Sequence, residues 1–399
     1  MRKTEICIIG GGASGMAAAV TSARIIGGEN ICVLEKLDEP GHKILATGNG
    51  RCNLTNTACS HADETRQFFR ELGVFSREEE DGRVYPWCGD ARAVQQALIQ
   101  ELKRLNVQVI CGAEVTKAEA QEDRFLVSYQ GGKISARQLL LACGGKAGPK
   151  MGTTGDGAKL ARRLTLDVTP LAPALTAMEV YEDVRKLKGV RARAAVTLFY
   201  QGKKIAEEDG EVQFTAYGIS GICVFNLSRK MLLPPGKKLR GGFDDYLVEI
   251  DLAGNLPFRN SDFQHMEKDS LLPLSSVVRK PLAEEIYRQA EGNPDRCAHL
   301  LRHFTLHPKG LKGWDMAQVT RGGIVMSALN PATMEAFSVP GLYASGEIQD
   351  WDGPCGGFNL QHAWETGILA GRAMAEKFLQ KSEGASDVQI KAEQKGRKA

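Results

Sequence analysis

Three glycines and one carboxylate open the chain's chemistry. Gly10-x-Gly12-x-x-Gly15 directly follows the apolar run EICII at residues 5–9 and opens an alanine-rich stretch, and Glu35 closes a second apolar run, ICVLE, twenty residues after Gly15. In a strand-turn-helix setting each glycine has a separate duty. Gly10 makes the tight turn, Gly12 lets a pyrophosphate reach the backbone, and Gly15 lets the helix pack close to the sheet. Ala13 and Ser14 then start a helix whose unpaired N–H groups face the phosphates. Glu35 stands where an acceptor for ribose hydroxyls belongs, with Lys36 beside it. An acidic residue there favours a free ribose hydroxyl, as in FAD or NAD, over a phosphorylated one.

Two later segments separate FAD from NAD. LLLACGG at 139–145 is an apolar strand ending at Cys143, Gly144 and Gly145, a second close backbone approach. Residues 341–374 read as a strand, a turn at Gly346 and Glu347, a glycine loop through Gly353, Gly356 and Gly357, and a helix starting near Asn359. A helix N-terminus placed so late is aimed at a second part of a long cofactor, and the flavin N1–C2=O edge, anionic when reduced, is the natural target. That helix end contributes about 1 kcal/mol, or about 20 mV for a two-electron couple.

The elements that must hold these groups follow from periodicity. Strand 5–9, helix Ala13–Ile26 and strand 31–35 form a βαβ unit and imply a parallel sheet. An amphipathic helix at 91–105 precedes a strand at 107–111. From Glu114 to Ala142 the alternation, with turns at 121–123 and 131–132, suggests an antiparallel meander. Around residue 180 the pattern becomes β-rich, with a hairpin turning at Gln201–Gly202 and a strand at YLVEIDL. Helical periodicity returns over 256–306, punctuated by Pro257, Pro273, Pro281 and Pro294. A last strand, LYASG, and a helix from about Asn359 to Leu379 precede a polar, frayed end.

Composition narrows the class. The 399 residues carry 51 basic and 48 acidic side chains, a formal net charge of +3, with no like-charge block that would track nucleic acid. Ten cysteines at irregular spacing contain no C-x-x-C pair, which suits reduced thiols and a cytoplasmic location. Arg2 and Lys3 before Ile6–Val20 imitate a signal peptide, but Gly10, Gly11, Gly12 and Gly15 interrupt the run. No apolar run approaches the ~18 residues a membrane span needs.

Beyond GGGASG, the chain carries GHKILATGNGRCNLTN (41–56), GTTGDG (152–157), GEVQFTAYGISG (210–221), VTRGGI (319–324) and SGEIQDWDGPCGGFNLQHA (345–363). On these motifs, nearly end to end, it resembles the bacterial NAD(P)/FAD-dependent oxidoreductases described as aminoacetone-oxidase-like FAD-binding flavoproteins. The late motif and GTTGDG are also similar to fumarate-reductase and ketosteroid-dehydrogenase flavoproteins. The resemblance implies an α/β protein: a Rossmann-like, glutathione-reductase-type FAD-binding fold interrupted by a β-barrel-like domain that carries a helical insertion. The expected boundaries are 1–185 with 336–385 for the FAD-binding domain, 186–255 with 310–335 for the β-rich substrate or cap domain, 256–309 for the insertion and 386–399 for a polar tail. It further implies that Lys43, Gly50, Arg51, Cys52 and Asn53 lie along the pyrophosphate, ribityl chain or flavin, that the Val115 backbone meets adenine, and that Gly346, Glu347, Asn359 and Leu360 meet flavin and ribityl. Cys143 departs from the threonine common there and keeps the position small.

For the reaction, the resemblance implies non-covalent FAD and hydride transfer from flavin N5 to an activated C=C bond, an enone or dienone such as the 3-oxo bile-acid intermediates one family member reduces. Without a second G-x-G-x-x-G unit, NAD(P)H is expected to visit as a diffusible reductant in ping-pong order. A hydrogen-peroxide-forming oxidase of a small amine or ketone is the rival enzyme, and an RNA-acting or non-catalytic flavoprotein the rival class. The expected partner is a small molecule, with no nucleic acid or membrane. Outside the cofactor motifs, Thr215, Tyr217, Ser220 and Arg321 are expected on the covering domain, Tyr217 as a proton donor and Arg321 orienting an anionic or carbonyl group, against an equal reading as interface contacts. Cys355 and Cys52 read better as small residues in crowded turns than as redox groups. His303 and His307, four apart, lack a third patterned ligand for a metal. Asp156 is open between a cofactor contact and the N-cap of the following helix.

Overall fold

A computed structural model describes residues 1–231, 242–264, 266 and 271–396. The chain divides into two compact units, 1–172 with 319–399 and 173–318. The expected edges at 185/186 and 335/336 are therefore displaced. Val319–Arg321, expected in the β-rich domain, belongs to the first unit, where the Thr320 hydroxyl accepts from the backbone N–H groups of Lys146 and Ala147 at 2.7 and 2.9 Å.

The first unit is built on a parallel sheet in the order Gln108–Ile110, Ile31–Leu34, Arg2–Ile9, Gly132–Leu141, Leu342–Ala344. Its central strands are buried on both faces, as the near-continuous Ile, Val and Leu runs require. Gly132–Leu141 has two roles. Its first half closes the antiparallel meander with Phe125–Tyr129 and Val115–Ala120, while its second half pairs in parallel with Leu342–Ala344. Helix Ala13–Ile26 falls where the sequence placed it.

The late helix, Phe358–Gly396, runs well beyond its expected end at Leu379 and takes in most of the expected tail, whose residues 397–399 lie outside the described residues. It crosses the first helix at close range. A Cβ on Gly367 would stand 2.3 Å from the Ser14 carbonyl oxygen, and one on Gly371 would stand 2.5 Å from that of Ala18. The Ser22 hydroxyl donates to the Gly371 carbonyl at 2.8 Å. Glycines spaced by four let two helix backbones touch, which binds the two ends of the sequence together.

The second unit is an antiparallel sheet in the order Phe304–Leu306, Tyr246–Asp251, Arg191–Tyr200, Lys203–Phe214, Gly218–Ser220, Met178–Val180, Pro308–Leu311. The strands at its two ends are separated in the chain by His307 alone, so one continuous segment, 304–311, joins both edges and the sheet must curl, the barrel-like form expected. The hairpin turns at Gln201 and Gly202, both left-handed at φ 49° and 75°, which matches the natural twist of paired strands. Helices Lys280–Gln289 and Pro294–Arg302 lie in the expected insertion 256–309, in which 265 and 267–270 lie outside the described residues; its expected end is corrected, because Phe304–Leu306 belongs to the sheet. No helix among the described residues is long and apolar enough to cross a membrane.

Candidate functional site: a cradle at the strand ends

Four parallel strands of the first unit end in register. Ile9 is opposite Leu34 and Leu141, and Leu141 is opposite Ala344. Each strand runs straight into a residue or turn singled out from sequence: Gly10, Glu35, the Cys143–Gly145 turn and Gly346. In an open parallel sheet the crevice outside the carboxyl ends of the strands is where ligands bind.

The three N-terminal glycines have three different surroundings. Gly10 has φ +108°, and a Cβ there would lie 2.4 Å from the Ala142 carbonyl oxygen. A Cβ on Gly15 would lie 1.9 Å from the Gly10 oxygen. Around Gly12 there is nothing within 4 Å. Two are bare because protein crowds them; Gly12 faces open space at a helix N-terminus, where a pyrophosphate fits. Glu35 takes the Gly11 and Leu37 N–H groups on its two oxygens, each at 2.8 Å, which locks the carboxylate while leaving further lone pairs. The Val115 backbone begins the first strand of the meander.

The late segment is delivered to the same edge. The Ser14 hydroxyl donates to the Ser345 carbonyl at 3.2 Å, and the Gly346 N–H donates to Thr366 Oγ1 at 2.9 Å. Gly346 is left-handed, and a Cβ on it would meet Ser14 Oγ at 2.6 Å. Glu347 is held from two sides, by Lys43 Nζ at 2.6 Å and by the Thr320 N–H at 2.8 Å. A Cβ on Gly145 would collide with Thr320 Oγ1 at 2.3 Å. Lys43, Gly145, Glu347 and Thr320 are thus one cluster. Thr320 was not singled out from sequence, although VTRGGI was; a threonine in a β-type run carries no sign of bonding two backbone amides.

Asn53 lies by the second half of the cradle. Its Oδ1 is buried without a hydrogen-bond partner, and a Cβ on Gly357 (φ +106°) would approach it to 2.9 Å. A buried acceptor left unpaired is suited to an outside donor. Gly50 and Cys52 are both left-handed. Burial pushes the Cys52 thiol up to about 12, and the Cys143 thiol likewise, so neither is a thiolate at neutral pH. All ten cysteines lie outside disulfides.

Some expected contacts have other occupations. Arg51 lies 3.9 Å from the centre of the Tyr85 ring and pairs with Glu79 at 2.9 Å. The Asn359 side chain staples the glycine loop, accepting from Gly353 N–H and donating to its carbonyl, both at 2.9 Å. Leu360 packs on the core, which leaves only its backbone for a ligand. Lys36 donates to Thr154 Oγ1 at 2.8 Å and pairs with Asp156 at 2.9 Å. Asp156 does not cap its helix: Gly155 holds that position and Asp156 is the first helical residue. Burial would raise its carboxyl, but hydrogen bonds from Thr154 and Lys36 outweigh this and hold it at about 2.

His362 lies in the late motif but was not singled out; its ring stacks on Trp351 at 4.2 Å and 15°. Its Nε2 is buried and unpartnered, and burial pushes the imidazole down to about 4. His303 and His307 do not share a helix face. His303 follows the end of Pro294–Arg302 and pairs with Glu249, while His307 sits between two strands and pairs with Glu182. Among the described residues no group of three His, Cys, Asp or Glu side chains is arranged for a metal. Arg321 lies in the first unit and Tyr217 in the second, so the expectation of both on one covering domain is corrected.

A parallel sheet with these turns at its strand ends defines a Rossmann-type dinucleotide-binding protein. The HI0933-like protein Rossmann domain matches residues 60–373, and the chain belongs to that family, the FAD-binding flavoprotein oxidoreductases. It is 37% identical over 413 aligned positions, 94% of this chain and 99% of the relative, to the 3-dehydro-bile acid delta(4,6)-reductase of Clostridium scindens. It is 27% identical, over 92% of this chain and 96% of the relative, to the ribosomal RNA dihydrouridine synthase of Escherichia coli strain K12. Among solved structures, a 3-ketosteroid delta1-dehydrogenase from Sterolibacterium denitrificans shares the fold with TM-score 0.52 at 12% identity, covering 94% of this chain and 100% of that one.

Proposed function

We propose that this flavoprotein reduces a carbon–carbon double bond conjugated to a carbonyl group of a small molecule, with NAD(P)H as the diffusible donor. The observation that supports it most is the 37% identity across nearly the whole chain to a delta(4,6)-reductase of 3-dehydro bile acids. The second relative points to the same bond type, because a dihydrouridine is a uridine whose C5=C6 bond, conjugated to C4=O, has been reduced. An enone or dienone is thus the substrate class, steroidal 3-oxo compounds included.

Gly10, Gly12, Ala13, Ser14, Gly15, Glu35, Lys36 and Val115 would hold the adenosine diphosphate half of FAD. Lys43, Gly50, Arg51, Cys52, Asn53, Cys143, Gly144, Gly145, Gly346, Glu347, Gly357, Asn359 and Leu360 would hold the rest. FAD bound there supplies two-electron hydride chemistry. The residues supply the electrostatics: the N–H groups of the first helix and Gly12 receive phosphate charge, and Lys43, steadied by Glu347, places a cation in the second half. Tyr217 and Arg321 are the substrate-side candidates, as hydrogen-bond donor and as carbonyl or anion anchor. Reduced cysteines are consistent with the cytoplasm as the site of action.

The RNA-acting reading has its own support in the 27% relative, and the near-balanced charge of +3 weighs against it, because phosphate-backbone binding rests on concentrated Lys and Arg. Anaerobic stopped-flow mixing with NADH and NADPH tests the main reading. Bleaching of the flavin band near ~450 nm, then recovery on adding an enone, is the expected result; no bleaching by either nucleotide removes NAD(P)H as donor, and no recovery with any enone removes the reductase reading.

A further inference from the structure

Within residues 173–318, three side chains form a row across three neighbouring chain segments. Met178–Val180 lies between Gly218–Ser220 and Pro308–Leu311, and Glu179 is opposite Gly218 on one side and Gly310 on the other. Two glycines facing one carboxylate leave both its flanks open to Tyr217, one residue from Gly218, and Lys312, two residues from Gly310. Lys312 Nζ donates to Glu179 Oε1 at 3.0 Å and lies 4.0 Å from the centre of the Tyr217 ring. The Glu179 side chain is 5% exposed, a burial that a carboxylate tolerates only when paired.

The turn that carries Tyr217 is fixed. The Thr215 N–H and hydroxyl both donate to the Gly218 carbonyl, at 2.8 and 3.1 Å, and Thr215 Oγ1 accepts from the Tyr217 N–H at 3.3 Å. Gly218 has φ +153°, and a Cβ there would lie 2.1 Å from the Met178 carbonyl oxygen. The turn is thereby drawn against the strand that bears Glu179. The Tyr217 hydroxyl itself has no hydrogen-bond partner among the described residues. The ion pair accounts for burying Glu179. It gives no reason for a pinned turn that sets a phenol ring against the ammonium and leaves its hydroxyl open.

We propose that this row recognises the substrate's carbonyl group. The Tyr217 hydroxyl donates a hydrogen bond to the ketone oxygen of an α,β-unsaturated substrate, and Lys312, fixed by Glu179, sets a positive charge against the ring. Reduction of the conjugated bond gathers negative charge on that oxygen, which a positioned donor stabilises. Hydride derived from NAD(P)H enters at the β-carbon, a proton from water completes the α-carbon, and Tyr217 keeps its proton. This rests on the enone reading and names the group it grips; Tyr217 is the catalytic residue, Lys312 and Glu179 positioning residues.

The test uses the full FAD-loaded chain as wild type, Tyr217→Phe, Lys312→Met and Lys312→Arg. Equilibrium dialysis compares a 3-oxo-4-ene steroid with its 3-deoxy counterpart, and photoreduced protein is then reoxidised anaerobically by the ketone. Wild type is expected to prefer the ketone by about tenfold or more. Tyr217→Phe should lose that preference at unchanged FAD content and reoxidise about 100-fold more slowly. Lys312→Met should weaken the preference and Lys312→Arg keep it. A Tyr217→Phe protein that retains the preference overturns the proposal, as does wild type binding both ligands equally while still being reoxidised by the ketone, a result that leaves the enone reading standing. If no enone reoxidises wild type, that reading falls and this site falls with it.

Discussion

Gly12 and Gly15 belong to one motif, yet their surroundings separate ligand binding from folding. Alanine at Gly12 places a methyl where nothing stands within 4 Å, whereas alanine at Gly15 drives a methyl into the Gly10 carbonyl. Gly12→Ala should leave the melting temperature of the cofactor-free protein within a few degrees and weaken FAD at least about tenfold, or ~1.4 kcal/mol, in a fluorescence titration. Gly15→Ala should lower the cofactor-free melting temperature itself; equal behaviour of the two variants would contradict the assigned roles. His362 offers a pH test. Its folded value near 4 lies below the ~6.5 of an unfolded histidine. Between these values the unfolded chain binds the extra proton, so stability is fully present above about 6.5 and is lost as pH falls toward 4, by at most ~3 kcal/mol. Urea titrations from pH 7 to 4 should show a shallower loss in His362→Phe; an identical slope would mean that His362 is not held neutral. At this scale the glycines and Glu35 were legible because backbone geometry restricts residue type. Thr320, His362 and Lys312 were not, because their roles depend on partners far away in the sequence.

Among elements, local periodicity carried far. The helix Ala13–Ile26, the meander and the hairpin at Gln201–Gly202 all lie where the sequence placed them. Sheet membership was less legible. Val319–Arg321 has the alternation of any short strand, and only the bonds of Thr320 assign it to the first unit. Asp156 likewise has the residue type of a cap, but Gly155 before it is already left-handed and takes the position. The crossing of the first and last helices was invisible, since Gly367 and Gly371 read as ordinary helix interruptions. A valine at Gly371 must push the Ala18 backbone away from a 2.5 Å approach. Gly371→Val should cost about 1–3 kcal/mol in chemical denaturation and weaken FAD in parallel, because the same helix seats Gly346 through Thr366. Loss of stability with unchanged FAD affinity would uncouple the helix crossing from the cradle.

For the whole molecule, each unit has its own core. One apolar cluster spans Met178 to Leu311, entirely within the second unit, and two others lie within the first. Calorimetry should therefore resolve two transitions. FAD at a hundredfold excess over its dissociation constant should add about 2.7 kcal/mol to one of them and leave the other in place. A single transition moving as one with FAD would show that the units do not melt separately. The α/β class and a β-rich interruption were legible from the change of periodicity near residue 180; the edges at 172 and 318 were not, because short strands flank both.

The pairing of Gly132–Leu141 with Leu342–Ala344 has a consequence for synthesis. A nascent chain made as far as residue 318 possesses every strand of the inserted unit, while the first unit's sheet still awaits a strand and its clamping helix. The insert is thus free to mature first on the ribosome. The coenzyme crevice is completed only when Leu342–Ala344 and the helix from Phe358 have been made, so loading must follow their translation.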